Sequence, residues 1–181
     1  KEIEEAAGYA GIQSILSKPF FVTNFKRCIE QARKEQQLQG KGQATEKEKM
    51  TLKGMRFLIA DDNDLNAEIL EELLKMEGAD CDRAVNGKEA VEMFARAEEG
   101  RYNIILMDIK MPVMNGYDAT KEIRRLKKKE AAKIPIFAMT ANAFAEDIRT
   151  CMEAGMDAHI AKPVDLDLLE ENIRIYMQAK A

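Results

Sequence analysis

The sequence predicts an α/β fold, a five-stranded parallel sheet with helices on both faces. Three observations lead there. Between Met55 and the C-terminus, five short runs that read as strands alternate with five segments that read as helices. Such alternation requires crossover helices, and therefore parallel strands wound right-handedly. The run Ile104-Ile105-Leu106-Met107 is continuously apolar, as a strand buried on both faces must be. Finally, four of the runs stop on polar residues: Asp61-Asp62, Asp108, Thr140 and Lys162. Open parallel sheets bind ligands beyond the carboxyl ends of their strands, so these residues are expected to meet at one rim.

Each element has its own signal. Met55 to Ala60 is the first strand, ended by Asp61-Asp62-Asn63. Asp64 is expected to cap the next helix. Its inward stripe is Leu65, Ile69, Leu73 and Met76, and Gly78 stops it. Asp80 to Val85 is the second strand and Asn86-Gly87 a turn. The second helix runs from Gly87 to about Arg96, with Val91, Phe94 and Ala95 inside. The third strand delivers Asp108 to a loop bracketed by Pro112 and Gly116. Tyr117 to about Lys129 is the third helix, with Ile123 and Leu126 inward. Lys127, Lys128 and Lys129 give it a basic C-terminus that suits the helix dipole. Ile134 to Met139 is the fourth strand, ending at Thr140, and Phe144 to Ala154 the fourth helix, stopped by Gly155. Ala158 to Ala161 is the fifth strand, ending at Lys162-Pro163. Leu166, Leu169, Ile173 and Tyr176 line the fifth helix.

Composition narrows the class. A chain of 181 residues with 46% hydrophobic and 33% charged residues describes a soluble globular protein. Its net charge of −4 argues against nucleic-acid binding. No apolar run reaches the length of a membrane span and no signal peptide is visible, so direct membrane contact is not expected. Cys28, Cys81 and Cys151 form no Cys-x-x-Cys pair, which fits a reducing, cytoplasmic compartment and offers no zinc site. His159 is the single histidine, which excludes a histidine-cluster metal centre.

The N-terminal segment copies the C-terminal one. Lys18-Pro19 and Lys162-Pro163 are 162 − 18 = 144 positions apart. At that offset Glu2 matches Glu146, Ala10 matches Ala154, Gly11 matches Gly155 and Ile29 matches Ile173. The stripe Val22, Phe25, Ile29, Ala32 falls on Leu166, Leu169, Ile173, Tyr176. Residues 1–36 are therefore expected to be the last strand and helix of an upstream domain of the same kind. Residues 37–53, rich in Gln, Lys and Glu, are expected to be linker, and residues 54–181 a complete domain. The remnant is expected to bury Phe20, Phe21 and Phe25 by docking on the intact domain or on another copy, promoting self-association.

The rim residues suggest a chemistry. Three carboxylates held together repel one another and are tolerated around a divalent cation. Oxygen ligands with room for water suit Mg2+, which commonly shares its ligands with a phosphate. A lysine and a hydroxyl converging there complete a phosphoryl site. An aspartate carboxylate can itself attack phosphorus. With no Gly-rich phosphate loop, a nucleotide need not be the donor.

Asp61-Asp62, Met107 through Gly116, Met139-Thr140-Ala141-Asn142 and Lys162-Pro163 together resemble the receiver domains of two-component signalling. The wording around Met139 to Ala143, Ala154 to Asp157 and Ala161 to Pro163 is similar to receivers attached to hybrid sensor histidine kinases, and residues 1–36 resemble the tail of a preceding receiver. The resemblance implies a flavodoxin-like strand order 2-1-3-4-5 and phosphorylation of Asp108 from a phosphohistidine. It implies Mg2+ held by Asp62, Asp108 and the backbone carbonyl of Lys110, with Asp61 acting through water. Thr140 and Lys162 would bind phosphoryl oxygens, and the Lys162-Pro163 bond would be cis. Lys110 and Asn142 sit where the family tunes acyl-phosphate lifetime. His159 stands where many receivers carry a Tyr or Phe that moves with the Thr. The implied partners are the dimerisation and phosphotransfer domain of a histidine kinase and a histidine phosphotransfer protein, docking near Leu65 and Asn66. Two other readings stay open on the residues alone: a phosphorylation-independent docking module, and a Mg2+-dependent phosphohydrolase with an Asp nucleophile.

Overall fold

A computed structural model describes residues 51–141 and 145–179. Residues 1–36, most of the stretch read as linker, and Asn142 lie outside the described residues. The element order is β1 (Arg56–Ala60), α1 (Asp64–Met76), β2 (Asp80–Ala84), α2 (Gly87–Arg96), β3 (Ile104–Asp108), α3 (Gly116–Arg125), β4 (Ile136–Thr140), α4 (Ala145–Ala154), β5 (Ala158–Ala161) and α5 (Leu166–Ala179). The strands form one sheet in the order β2-β1-β3-β4-β5, all pairs parallel. Leu52, within the stretch read as linker, is fully buried, and Met55 N donates to its carbonyl.

Burial follows position in the sheet. Every residue of β3 and β4 is buried, whereas β2, at one edge, buries only Ala84. One apolar cluster joins Leu58, Ile105, Met107 and Ala138 of the sheet to Phe94 of α2, Ile123 of α3 and Cys151 of α4. Phe57, Leu106 and Phe137 occupy the alternate strand positions, so they face the opposite side. There Phe137 meets the Tyr176 ring of α5 edge to face, with centroids 6.0 Å apart. Among the described residues, no helix is long and apolar enough to cross a membrane.

The elements deviate from the sequence expectation in detail, for identifiable reasons. Asn63, not Asp64, caps α1: its side chain accepts from Asn66 N, and Asp64 is the first helical residue. The buried stripe of α1 is Ala67, Leu70, Leu73 and Leu74, while Leu65 is 41% exposed. In α2, Ala90 is buried and Ala95 exposed. α3 stops at Arg125, where Leu126 turns to extended backbone at ψ 141°. Lys128, freed from that helix, turns back to cap α2, donating to Phe94 O (2.9 Å) and Ala97 O (2.8 Å).

Arg124 fastens the pole away from the strand ends. Its guanidinium donates to Gly155 O (3.0 Å), Ala131 O (2.8 Å), Ile134 O (2.8 Å) and Asp157 Oδ2 (2.7 Å). Asp157 Oδ2 also accepts from Ile136 N at 2.9 Å, so one ion pair joins α3, β4 and the α4–β5 junction.

Gly116 sets how closely α3 approaches the end of β3. A Cβ there would collide with the Asp108 backbone carbonyl, and would meet Met107 Cγ at 3.0 Å. Replacing it with alanine forces backbone apart. Gly116→Ala is expected to lower stability by about 1–3 kcal/mol in urea denaturation. Cys81 is a second check on packing: burial pushes its thiol pKa up to about 12. At pH 8 its alkylation in the folded chain is expected to be slower than in the urea-unfolded chain by at least about 100-fold, read on the Cys81 peptide by mass spectrometry.

Candidate functional site at the carboxyl ends of the strands

Parallel register brings the polar strand ends together. Ala60 pairs with Met107, so Asp61 and Asp108 each lie one residue past a matched pair. Asp108 pairs with Met139 and Thr140 with Ala161, so Thr140 and Lys162 follow in steps along the same rim. Three helices begin beside it, each with an asparagine cap: Asn63 on α1, Asn86 on α2 and Asn115 on α3. Their N-termini carry the positive ends of helix dipoles, a favourable setting for anions.

Lys162 is the centre of the site. Its Nζ lies 2.7 Å from Asp61 Oδ2 and 2.7 Å from Asp108 Oδ2. Asp61 is almost fully buried; its other oxygen accepts from Asn63 N at 3.0 Å. Both Asp61 oxygens are therefore occupied by protein donors. Asp62 is exposed, Asp108 and Thr140 are buried, and Lys110 is exposed. Ligand atoms of Asp61, Asp62 and Asp108 all lie within 4.8 Å of one another. One lysine cannot neutralise three carboxylates, so the donor set suits a hard divalent cation. The backbone N of Lys110 reaches Asp108 Oδ1 at 3.4 Å, a long contact. The Lys162-Pro163 bond is cis.

Electrostatics leave Asp108 under tension. Burial raises its carboxyl pKa, the Lys162 ammonium opposes that shift, and the charge of Asp61 adds to it. For Lys162, burial disfavours the ammonium, but hydrogen bonds to Asp108 and Asp61 outweigh it and its pKa is raised.

Asp108 opens into a cleft of about 780 Å³ lined by Asn66, Ile109, Lys110, Met111, Asn115 and Tyr117, with Thr140, Ala141 and Lys162. The loop beyond Asp108 is held by Gly116 N donating to Ile109 O (3.0 Å) and Gly87 N to Met114 O (3.1 Å). Within it Val113 takes φ 66°, and Met114 N donates to Pro112 O at 2.7 Å, a tight γ-type turn. His159 sits half-buried on β5, paired with Ala138 and on the Thr140 side of the sheet, outside the cleft lining. The sequence points to Asp61, Asp62, Asp108, Lys110, Thr140 and Lys162, and the fold brings all six to one rim. It gives no hint of Asn115 and Tyr117 as cleft residues, beyond their place just after the loop.

This sheet order is that of the doubly wound α/β class, and the chain belongs to the response regulator receiver domain family, whose model matches residues 57–174. It is 35% identical over 124 residues to the sensor histidine kinase RcsC of Salmonella typhimurium, covering 68% of this chain and 12% of that protein. The receiver domain of sensor histidine kinase PA1611 from Pseudomonas aeruginosa, solved with a magnesium ion in its active site cleft, is 34% identical. That match has a TM-score of 0.61 and covers 69% of this chain and 98% of that one. The Saccharomyces cerevisiae complex of the histidine phosphotransfer protein Ypd1 with the receiver domain of Ssk1 matches at 30% identity and a TM-score of 0.59. It covers 68% of this chain and 89% of that one. The chain spans 12% of the length of RcsC and 7% of that of another relative, the peroxide stress-activated histidine kinase mak1 of Schizosaccharomyces pombe.

The raised Asp108 pKa fixes a sign. Its contribution to stability is greatest below the unfolded carboxyl pKa and is lost as pH rises through the folded one. At neutral pH without metal, the Asp108 charge is a cost. Asp108→Asn is expected to raise the denaturation midpoint in metal-free buffer at pH 7, with the gain vanishing below about pH 4. Mg2+ at ten times its dissociation constant is expected to add about 1.4 kcal/mol to the wild type and much less to the variant.

Proposed function

We propose that this domain is the phosphoacceptor of a hybrid sensor histidine kinase in a phosphorelay, and that Asp108 takes the phosphoryl group from a phosphohistidine. The observation that carries this reading is the Lys162 ammonium, 2.7 Å from both Asp61 and Asp108 at the mouth of a cleft. An Asp108 carboxylate oxygen attacks phosphorus. The phosphorus–nitrogen bond of the donor breaks, and the imidazole leaves with the electron pair and takes up a proton from solvent. Bound Mg2+ supplies charge neutralisation for the phosphoryl oxygens, and Asp62, Asp108 and the Lys110 carbonyl would hold it, with Asp61 acting through water. Lys162 moves from pairing two carboxylates to binding a phosphoryl oxygen, and the Thr140 hydroxyl donates to another.

The phosphorylated carboxylate carries added charge, and Thr140 responds to it. That biases α4, β5 and α5 between two arrangements, because Thr140 and Ala161 are register partners. Lys110 and Asn142 tune the lifetime of the acyl phosphate, and His159 tunes the switch from the same face of the sheet. The donor is the dimerisation and phosphotransfer domain of a kinase, and onward transfer goes to a histidine phosphotransfer protein. The exposed Leu65 and the cleft residue Asn66 sit where such a helical partner would dock. The reducing cytoplasm is the compartment this chemistry and the free cysteines Cys81 and Cys151 fit.

Phosphotransfer from purified histidine kinases tests this. The wild type is expected to be labelled only with Mg2+ present. Lys162→Met is expected to be slower by about 100-fold. An Asp108→Ala variant labelled at the wild-type rate would sink the proposal.

A further inference from the structure

The cleft is far larger than one phosphoryl group requires. At one end Asp108, Thr140 and Lys162 gather, and the lining continues over Ile109 and Met111 to Asn115 and Tyr117 at the start of α3. Two features hold that further wall in place. Gly116 presses the α3 backbone against the Asp108 carbonyl, so the position of Tyr117 relative to Asp108 is set by backbone contact. Asn115 is committed to its own helix: its Oδ1 accepts from Asp118 N (2.9 Å) and its Nδ2 donates to Asp118 Oδ2 (2.9 Å). Asn115 thus offers the cleft its stem. Tyr117 is half-buried and is the one aromatic ring in the lining, among the described residues.

Resting on the phosphoacceptor reading above, we propose that Tyr117 is a specificity-determining residue that packs on the aromatic leaving group of the donor. A phosphohistidine brings a flat imidazole with its phosphoryl group; a small acyl phosphate brings only a carboxylate. The methionine and isoleucine of the wall offer apolar contact that the flat ring fills and the smaller acetate group of an acetyl phosphate does not. An aromatic side chain adds an offset or edge contact with the ring, together with apolar burial. The covalent step is unchanged: the bond from phosphorus to the imidazole nitrogen breaks and the bond to an Asp108 oxygen forms. Tyr117 acts on which donor reaches that step.

The test uses the full chain with Mg2+, and compares phosphoimidazole with acetyl phosphate as donors. Acyl-phosphate formation is followed by phosphate-affinity gel. For Tyr117→Ala, the ratio of the phosphoimidazole rate to the acetyl phosphate rate is expected to fall by about 3- to 10-fold, and Tyr117→Phe is expected to keep the wild-type ratio. Thermal unfolding confirms that both variants are folded. A ratio unchanged in Tyr117→Ala, whether both rates fall or neither does, overturns the assignment. A wild type labelled by neither donor overturns the phosphoacceptor reading instead, and this one with it.

Discussion

The structure depends on crowding like charges at the end of a parallel sheet. Asp61, Asp62 and Asp108 stand at adjacent strand ends because register leaves them nowhere else. In an ordinary fold such a cluster would be spread over the surface. Here Asp61 is nearly inaccessible and is held by Asn63 N and Lys162. The single ammonium between two carboxylates makes the cluster survivable, yet it leaves Asp108 with a raised pKa. A group whose charged form is disfavoured gains by acquiring a cation. The electrostatic cost in the resting state and the suitability of the cluster for a divalent cation therefore have the same origin.

The rest of the fold serves that arrangement. Buried β3 and β4 carry Asp108 and Thr140 on strands with little freedom to shift, and the glycine contact between α3 and β3 fixes the loop between them. Asparagine caps satisfy the first turns of α1, α2 and α3 without adding charge to a rim already rich in it. Aspartate would cap as well, but each additional carboxylate would raise the repulsion. Exposed Asp64, one step inside α1, turns away to Arg83.

Much of this was legible in the sequence. Strand ends are marked by the change from apolar run to polar residue, so Asp61, Asp62, Asp108, Thr140 and Lys162 could be read directly. Their convergence followed from topology alone. The errors came where local signals compete. Ala67 and Ala90 are buried although alanine carries little periodic signal, so the larger apolar residues of α1 point to a stripe about Leu65 and Ile69 that the fold does not bury. Lys127 to Lys129 are good helix formers, yet α3 ends before them because Lys128 finds two carbonyls and the Phe94 ring in α2. The apolar spacing carries no sign of Tyr117 as a cleft residue, since it sits at the first turn of α3, where its place depends on the loop after Asp108.

The Arg124 clamp has a mechanical consequence. Its four acceptors include Gly155 O and Asp157, which follow directly on the last turn of α4. One end of that helix is riveted, so any displacement of α4 is a pivot about Gly155 rather than a translation. A helix of 10 residues is a lever of about 15 Å, and a 10° tilt carries its far end through about 2.6 Å. The far end, Ala145, follows Thr140 by five residues in the chain, so a small tilt is enlarged at that end while the opposite pole stays in place.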